Sequence, residues 1–546
     1  MNSFSTLDYV VFGTYAVVIL FVGLFVSRTK KNTKKTAEDY FLAGKTLPWW
    51  AIGSSLIAAN ISAEQIIGTS GSAFASGLAI ASYEWMAAIT LIIVGKFFLP
   101  IFIKQGLYTI PGFIEKRFNT SLKTILAVFW IALFVFVNLS SVLYLGGLAL
   151  SNVMGSGSDS LLAFMIGLAL FSAAYSVWGG LSAVAWTDVI QVVLLVIGGL
   201  ITTYIALDHV TPQGGAMEGL SHVYNVANDK FHMILDKNHP EFNNLPGIAV
   251  LIGGLWVANL YYWGFNQYII QRALAAKSLA EAQKGIAFAG FLKLIVPLIV
   301  VIPGIIASVM YFQPEGTAVI DGVREAFTGE NGKLVQDVSY PWLIKTFVPV
   351  GLKGLVVAAL AAAIVSSLAS MLNSTATIFA MDIYKPYIDK NSSDTKLVNV
   401  GRITTLVSLV IAVAFAGILG SIEQIFQYIQ EWTGLVSPGI LAVFLMGLFW
   451  KKTNSLGAIV GVLLSIPVAL GLKFLPGVEL PFLDQMLYTL LITIVVIMGV
   501  SLVSGDGDDN PKGIPLTKET FATNSTFNIS AYVIMLITAT LYVIFW

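Results

Sequence analysis

The chain has 546 residues, 57% of them hydrophobic and 11% charged, with a mean hydropathy of +0.82. Thirty Lys and Arg balance thirty Asp and Glu, which excludes a soluble multidomain protein with its usual ~25% charge and offers no basic footprint for nucleic acid. Cysteine is absent, which excludes disulfides and thiolate chemistry.

Successive apolar runs of about 20 residues, each long enough for a ~30 Å hydrocarbon core, predict an all-α polytopic membrane protein with about fourteen transmembrane helices. In chain order they fall at 7–26, 48–70, 77–103, 123–152, 160–178, 184–207, 247–271, 284–311, 351–382, 398–419, 431–450, 455–475, 485–503 and 528–545. A β-barrel would show ~10-residue alternating segments instead. The first run has no basic residue ahead of it and ends in Arg28, Lys30 and Lys31, so it reads as a retained helix and not a cleavable signal.

Orientation follows from Lys and Arg, which cytoplasmic loops retain. Arg28 to Lys35 with Lys45, then Lys104, Lys116 and Arg117, then Arg272 and Lys277, Lys385 to Lys396, Lys451 and Lys452, and Lys512 and Lys518 fall on one side. The short loops opposite, around 71–76, 153–159, 420–430 and 476–484, contain none. Both termini are therefore expected outside the cell membrane. The four histidines, His209, His222, His232 and His239, share one polar loop, where solvation explains them better than a metal does.

The run SLIAANISAEQIIGTSG, Ser55 to Gly71, is long enough to cross a bilayer yet holds Asn60, Ser62, Glu64 and Gln65. Facing lipid they would cost several kcal/mol, so they must face protein or a wet cavity. Five spans later WVANLYYWGFNQYIIQR is interrupted in the same way by Asn259, Gly264, Asn266 and Gln267. Paired broken helices suggest inverted repeats over 48–207 and 247–450, with one helix before at 7–26 and three after within 455–546.

Glu84 and Lys293 lie inside apolar runs with opposite signs and are expected to compensate each other, whether for structure or for function. Gln65, Asn259 and Gln430 add neutral donors and acceptors from three further spans. This mixture suits a neutral polyhydroxylated ligand, because a sugar hydroxyl both gives and takes a hydrogen bond. Tyr83, Tyr262, Trp263 and Phe426 stand beside these groups, either as ring covers for a pyranose or as ordinary packing. In AAAIVSSLASMLNSTA, 361–376, Ser366, Ser367, Ser370 and Ser374 read as a close-packing face or as hydroxyl ligands for a hard cation such as Na+.

At these residues the sequence resembles the sodium/solute symporter family, and within it the bacterial sodium/galactose pattern. FLAGKTLPWWAIGSSLIAANISAEQIIG, YSVWGGLSAVAWTDVIQV, LIGGLWVANLYYWGFNQYIIQR and AALAAAIVSSLASMLNSTATIFAMDIYK carry the likeness in order along the chain. The resemblance implies a leucine-transporter-type fold of two inverted five-helix repeats. It implies sugar contacts at Gln65, Glu84, Asn259, Lys293 and Gln430, with Tyr262 as inner gate and Tyr83 and Phe426 in the outer cover. Sodium would take carbonyls of Ala58, Ile61 and Ala363 and hydroxyls of Ser366 and Ser367. Asn60 would link Tyr262 to the ion, and Asp188 would lie on its exit route.

Two departures touch sugar identity: Ala87 stands where the pattern has Ser, and Thr69 where it has Met. The expected function is sodium-coupled symport of a neutral monosaccharide, galactose or glucose, with Na+ as coupling ion and no organic cofactor. Myo-inositol, proline or sialic acid transport are the alternatives within the family. A membrane sensor would need a signalling domain, and an enzyme would need a catalytic constellation that the spans lack; a channel stays open on composition.

Overall fold

A computed structural model describes residues 4–26, 36–154, 160–329, 332–421, 425–474, 480–505 and 509–546, apart from the side chains of residues 175, 178, 420, 421 and 425–427. Arg28, Lys30, Lys31, Lys34 and Lys35 lie outside the described residues, as does the Phe426 side chain.

Among the described residues, eleven helices are long and apolar enough to cross a membrane. Of the other three expected spans, two fall on broken helices, Trp49–Asn60 (α1) and Gly254–Phe265, and the third on the unbroken 19-residue helix Leu161–Gly179. The helices that build the centre, after α1, are Thr69–Ser76 (α2), Ser82–Ile93 (α3), Leu181–Asp208 (α4), Gly254–Phe265 (α5), Gln267–Leu274 (α6), Leu279–Phe312 (α7), Leu352–Ile378 (α8) and Ile425–Phe449 (α9).

Side-chain size decides which helix lies innermost. The span containing α8 is 94% buried, because its run of Ala and Ser lets neighbouring backbones approach closely. Thr6–Val26, rich in larger apolar side chains, is only 17% buried and turns Val17 and Phe21 outward, as a lipid-facing helix should. Helices α1 and α7 touch almost backbone to backbone: a Cβ on Gly53 would fall 2.6 Å from the Gly285 carbonyl oxygen. Gly77, at φ +66°, reverses the chain between α2 and α3, and any Cβ there would meet the Lys230 carbonyl at 2.2 Å.

Two helices break where polar residues interrupt the apolar pattern. Helix α1 stops at Asn60, and Ile61 is extended at φ −78°, ψ 95°. The chain resumes as a π-helical turn, Glu64–Gly68, leading into α2. Helix α5 stops at Phe265, and Asn266 is extended at φ −80°, ψ 120° before α6 begins. Neither Pro nor Gly lies between Asn60 and Ala63, so the first break is held by its surroundings and not by an intrinsic helix breaker.

Candidate functional site

The two breaks face a common cavity of about 80 Å³, room for roughly six waters at about 10–15 Å³ each. Gln65, Tyr83, Glu84, Asn259, Tyr262, Lys293 and Gln430, all singled out from the sequence, line it, and so does Ala87. Lys293 donates to Glu84 Oε2, with both side chains at most 2% exposed. The Lys293 Nζ also lies 5.1 Å from the centre of the Trp263 ring. The opposite charges in separate spans therefore compensate each other, as burial requires.

Tyr262 joins the two breaks. Its hydroxyl oxygen accepts from Asn60 Nδ2 at 3.0 Å and from Tyr268 OH at 2.7 Å. Thr69 donates to Gln65 Oε1 at 3.2 Å, so the hydroxyl gained at this departure engages a neighbouring side chain and fixes the rotamer of Gln65.

Sequence reasoning passed over Asn138, Thr433 and Ser437, which also line the cavity, and gave Glu64 and Asn266 no part in the binding site although it noted both as polar interruptions. Asn138 was findable as a lone Asn in an apolar run. It sits in another π-helical turn, Leu133–Leu139, and such turns cluster at functional sites.

Deeper in the protein, α8 meets the first break. Ser367 Oγ donates to the Ala59 carbonyl at 2.9 Å, which places it at the end of α1, where Ala58 and Ile61 are also buried, as is Ala363 on α8. A helix end leaves carbonyls outside the i→i−4 ladder, and such oxygens suit a hard cation. Ser366 has another partner: its hydroxyl donates to Asp188 Oδ1 at 2.6 Å. The structure thus brings Ser367 to the break and Ser366 to the acid of the expected exit route.

Arg272 corrects the sequence reading, which counted it as a loop charge. It is fully buried in α6. Its Nε donates to Ser55 Oγ at 2.9 Å, its Nη1 to the Tyr268 carbonyl and its Nη2 to Ser370 Oγ. Asp188 Oδ2 lies 3.7 Å from Nη2 and accepts from Ser55 Oγ at 2.5 Å. One guanidinium, with five donors in a fixed fork, therefore ties α1, α6 and α8 to the acid on α4. Lys277 still carries the positive charge of that loop.

Comparison with known proteins bears on this arrangement. The profile of the sodium:solute symporter family matches residues 40–465. The chain is 63% identical over 545 residues to the sodium/glucose cotransporter of Vibrio parahaemolyticus, covering 100% of this chain and 99% of that one. It is 34% identical over 486 residues to the sodium/myo-inositol cotransporter of Mus musculus, which is 83% of this chain and 65% of that protein. A solved Na+-coupled sialic acid symporter, in a substrate-bound outward-open state, superimposes with a TM-score of 0.77 at 25% identity, covering 92% of this chain and 98% of that one.

Proposed function

The chain belongs to the sodium:solute symporter family, and from that premise we propose that it carries a neutral monosaccharide, galactose or glucose, together with Na+ by alternating access. It is a multi-pass membrane transporter and not an enzyme, and Na+ is its coupling ion. The sugar assignment draws on the Vibrio parahaemolyticus relative, described as a sodium/glucose cotransporter.

One observation carries the sugar reading. Asn60 Oδ1, Glu64 Oε2, Asn259 Nδ2, Asn266 Oδ1 and Ser437 Oγ are buried, lack hydrogen-bond partners and belong to residues lining one cavity. Orphaned buried polar atoms cost about 1–3 kcal/mol each, a penalty that a ligand presenting hydroxyls around a ring would relieve. Gln65, Glu84, Asn259, Lys293 and Gln430 are the sugar contacts in this proposal. Tyr262 closes the inner side, and Tyr83 and Phe426 cover the outer side. Carbonyls of Ala58, Ile61 and Ala363 and hydroxyls of Ser366 and Ser367 hold Na+, which leaves past Asp188.

The proposed architecture has fourteen spans in the cell membrane, with inverted five-helix repeats over 48–207 and 247–450, one helix before and three after, and both termini outside. A membrane potential contributes about 2.3 kcal/mol per charge per 100 mV, and a tenfold Na+ gradient about 1.4 kcal/mol. One Na+ per cycle then sustains accumulation of roughly several hundred-fold. Proteoliposomes given an inward Na+ gradient should accumulate labelled galactose or glucose above the external concentration, and should stop when Na+ is replaced by choline. Accumulation of myo-inositol or sialic acid alone would overturn the sugar assignment.

A further inference from the structure

The cavity contains three ionisable acid or amine side chains, and only two of them neutralise each other. Glu84 is paired with Lys293. Glu64 lines the same cavity, is 8% exposed, and its Oε2 has no partner. Among the described residues no Lys, Arg or His side chain pairs with it. The wide i→i+5 turn Glu64–Gly68 brings consecutive side chains nearer in direction than the ~100° step of an α-helix, so Glu64 and Gln65 share the cavity.

We propose that Glu64 is a cation subsite within the sugar pocket, and that the transporter takes protonated amino sugars, pyranoses with one ammonium in place of a hydroxyl, alongside neutral hexoses. This inference rests on the sugar reading above. The orphaned atoms support it in number as well as charge: three acceptors, Asn60 Oδ1, Glu64 Oε2 and Asn266 Oδ1, face one amide donor, Asn259 Nδ2, and one hydroxyl that can act either way, Ser437 Oγ. A hydroxyl supplies one proton to such a site and an ammonium supplies three. A hydrogen bond between two charged groups is also roughly twice as strong as a neutral one. The same unpaired carboxylate disfavours a sugar carrying a carboxylate of its own.

The test is competition against Na+-driven uptake of labelled galactose or glucose in proteoliposomes. Competitors are hexoses with a single amine at C2, C4 or C6, each beside its deoxy counterpart, at about pH 7.5, where an amine of ordinary α-amino basicity is still mostly protonated. At least one amine should compete roughly tenfold more strongly than its deoxy counterpart and should move one more charge per cycle than the neutral sugar. Glu64→Gln should abolish that preference, and Glu64→Asp should keep part of it. The proposal is overturned if no amine outcompetes its deoxy counterpart in the parent, a comparison that needs no variant to fold. A preference that survives Glu64→Gln overturns it equally. Failure of the parent to accumulate any hexose is a separate result and would remove the sugar reading itself.

Discussion

Tyr262 hydroxyl accepts two hydrogen bonds, from Asn60 and Tyr268, so Tyr262→Phe would leave two buried donors unpaired while keeping the ring. At about 1–3 kcal/mol for an orphaned buried group, coupled uptake should fall at least roughly tenfold, and initial-rate uptake under a Na+ gradient measures it. Parent-like accumulation would refute the gate role. For the pair Glu84 and Lys293, removing one partner strands the other at a cost of about 3–5 kcal/mol. Glu84→Gln and Lys293→Met should each lower thermal stability and binding. The double variant should recover stability and still not transport, because the hydrogen bonds to sugar are gone. Recovered transport would make the pair structural only. This pair was legible in the sequence because two opposite charges in apolar runs have no other economical arrangement. Arg272 was not legible, because a basic residue at the end of a span reads as a loop charge until its burial is seen.

At the scale of elements, the broken helices depend on their neighbours. Ser367 holds the end of α1 through the Ala59 carbonyl, so Ser367→Ala removes both a tether and a proposed oxygen ligand. The Na+ concentration for half-maximal uptake should rise about tenfold or more, and unchanged Na+ dependence would move the ion site elsewhere. Helix α2 has a different dependence, on the segment 336–347. Gly71 faces Asp337 so closely that a Cβ would fall 2.3 Å from its Oδ1. Burial raises the Asp337 carboxyl to about 7, above the ordinary value of about 3.9. The neutral acid is thus the form favoured in the docked state. Its contribution is complete below about pH 4 and is lost as pH rises through about 7. Hydrogen exchange in 336–347, corrected for intrinsic rate, should therefore speed up between about pH 5 and pH 8. Asp337→Asn should flatten that dependence, and a parent with no such change would remove it. Both breaks were legible from clustered polar residues, whereas the π-helical turns were not, since no residue type marks an i→i+5 turn.

At the scale of the whole molecule, hydrogen bonds sort the chain ends and loops into two groups. In one, Asp8 accepts from the backbone N–H groups of Gly351 and Gly354, Met233 N donates to the Phe545 carbonyl, and Lys230 reaches the carbonyls of Phe74 and Ala75. In the other, Leu47 N donates to the Ala275 carbonyl, Arg117 caps the chain at Gly447 and Trp450, and Lys512 reaches the Phe118 carbonyl. The first group gathers both chain ends with the long polar loops. The second gathers loops that the sequence marked by their Lys and Arg. Charge placement made this partition legible, since short loops report orientation while long loops cross largely regardless of charge. At 48–70 and 247–271 the polar clusters marked the breaks but not how short the flanking helices are, Trp49–Asn60 and Gly254–Phe265. Because the chain has no cysteine, single substitutions give a clean readout of sidedness. Lys237→Cys, Glu315→Cys, Lys390→Cys and Lys518→Cys all change exposed residues. With both termini outside, a membrane-impermeant maleimide should label the first two in right-side-out vesicles and the last two only in inverted ones. The opposite pattern would invert the protein in the membrane. A split within either pair would mean that an odd number of crossings separates positions placed on one side, and the fourteen-span arrangement would fall.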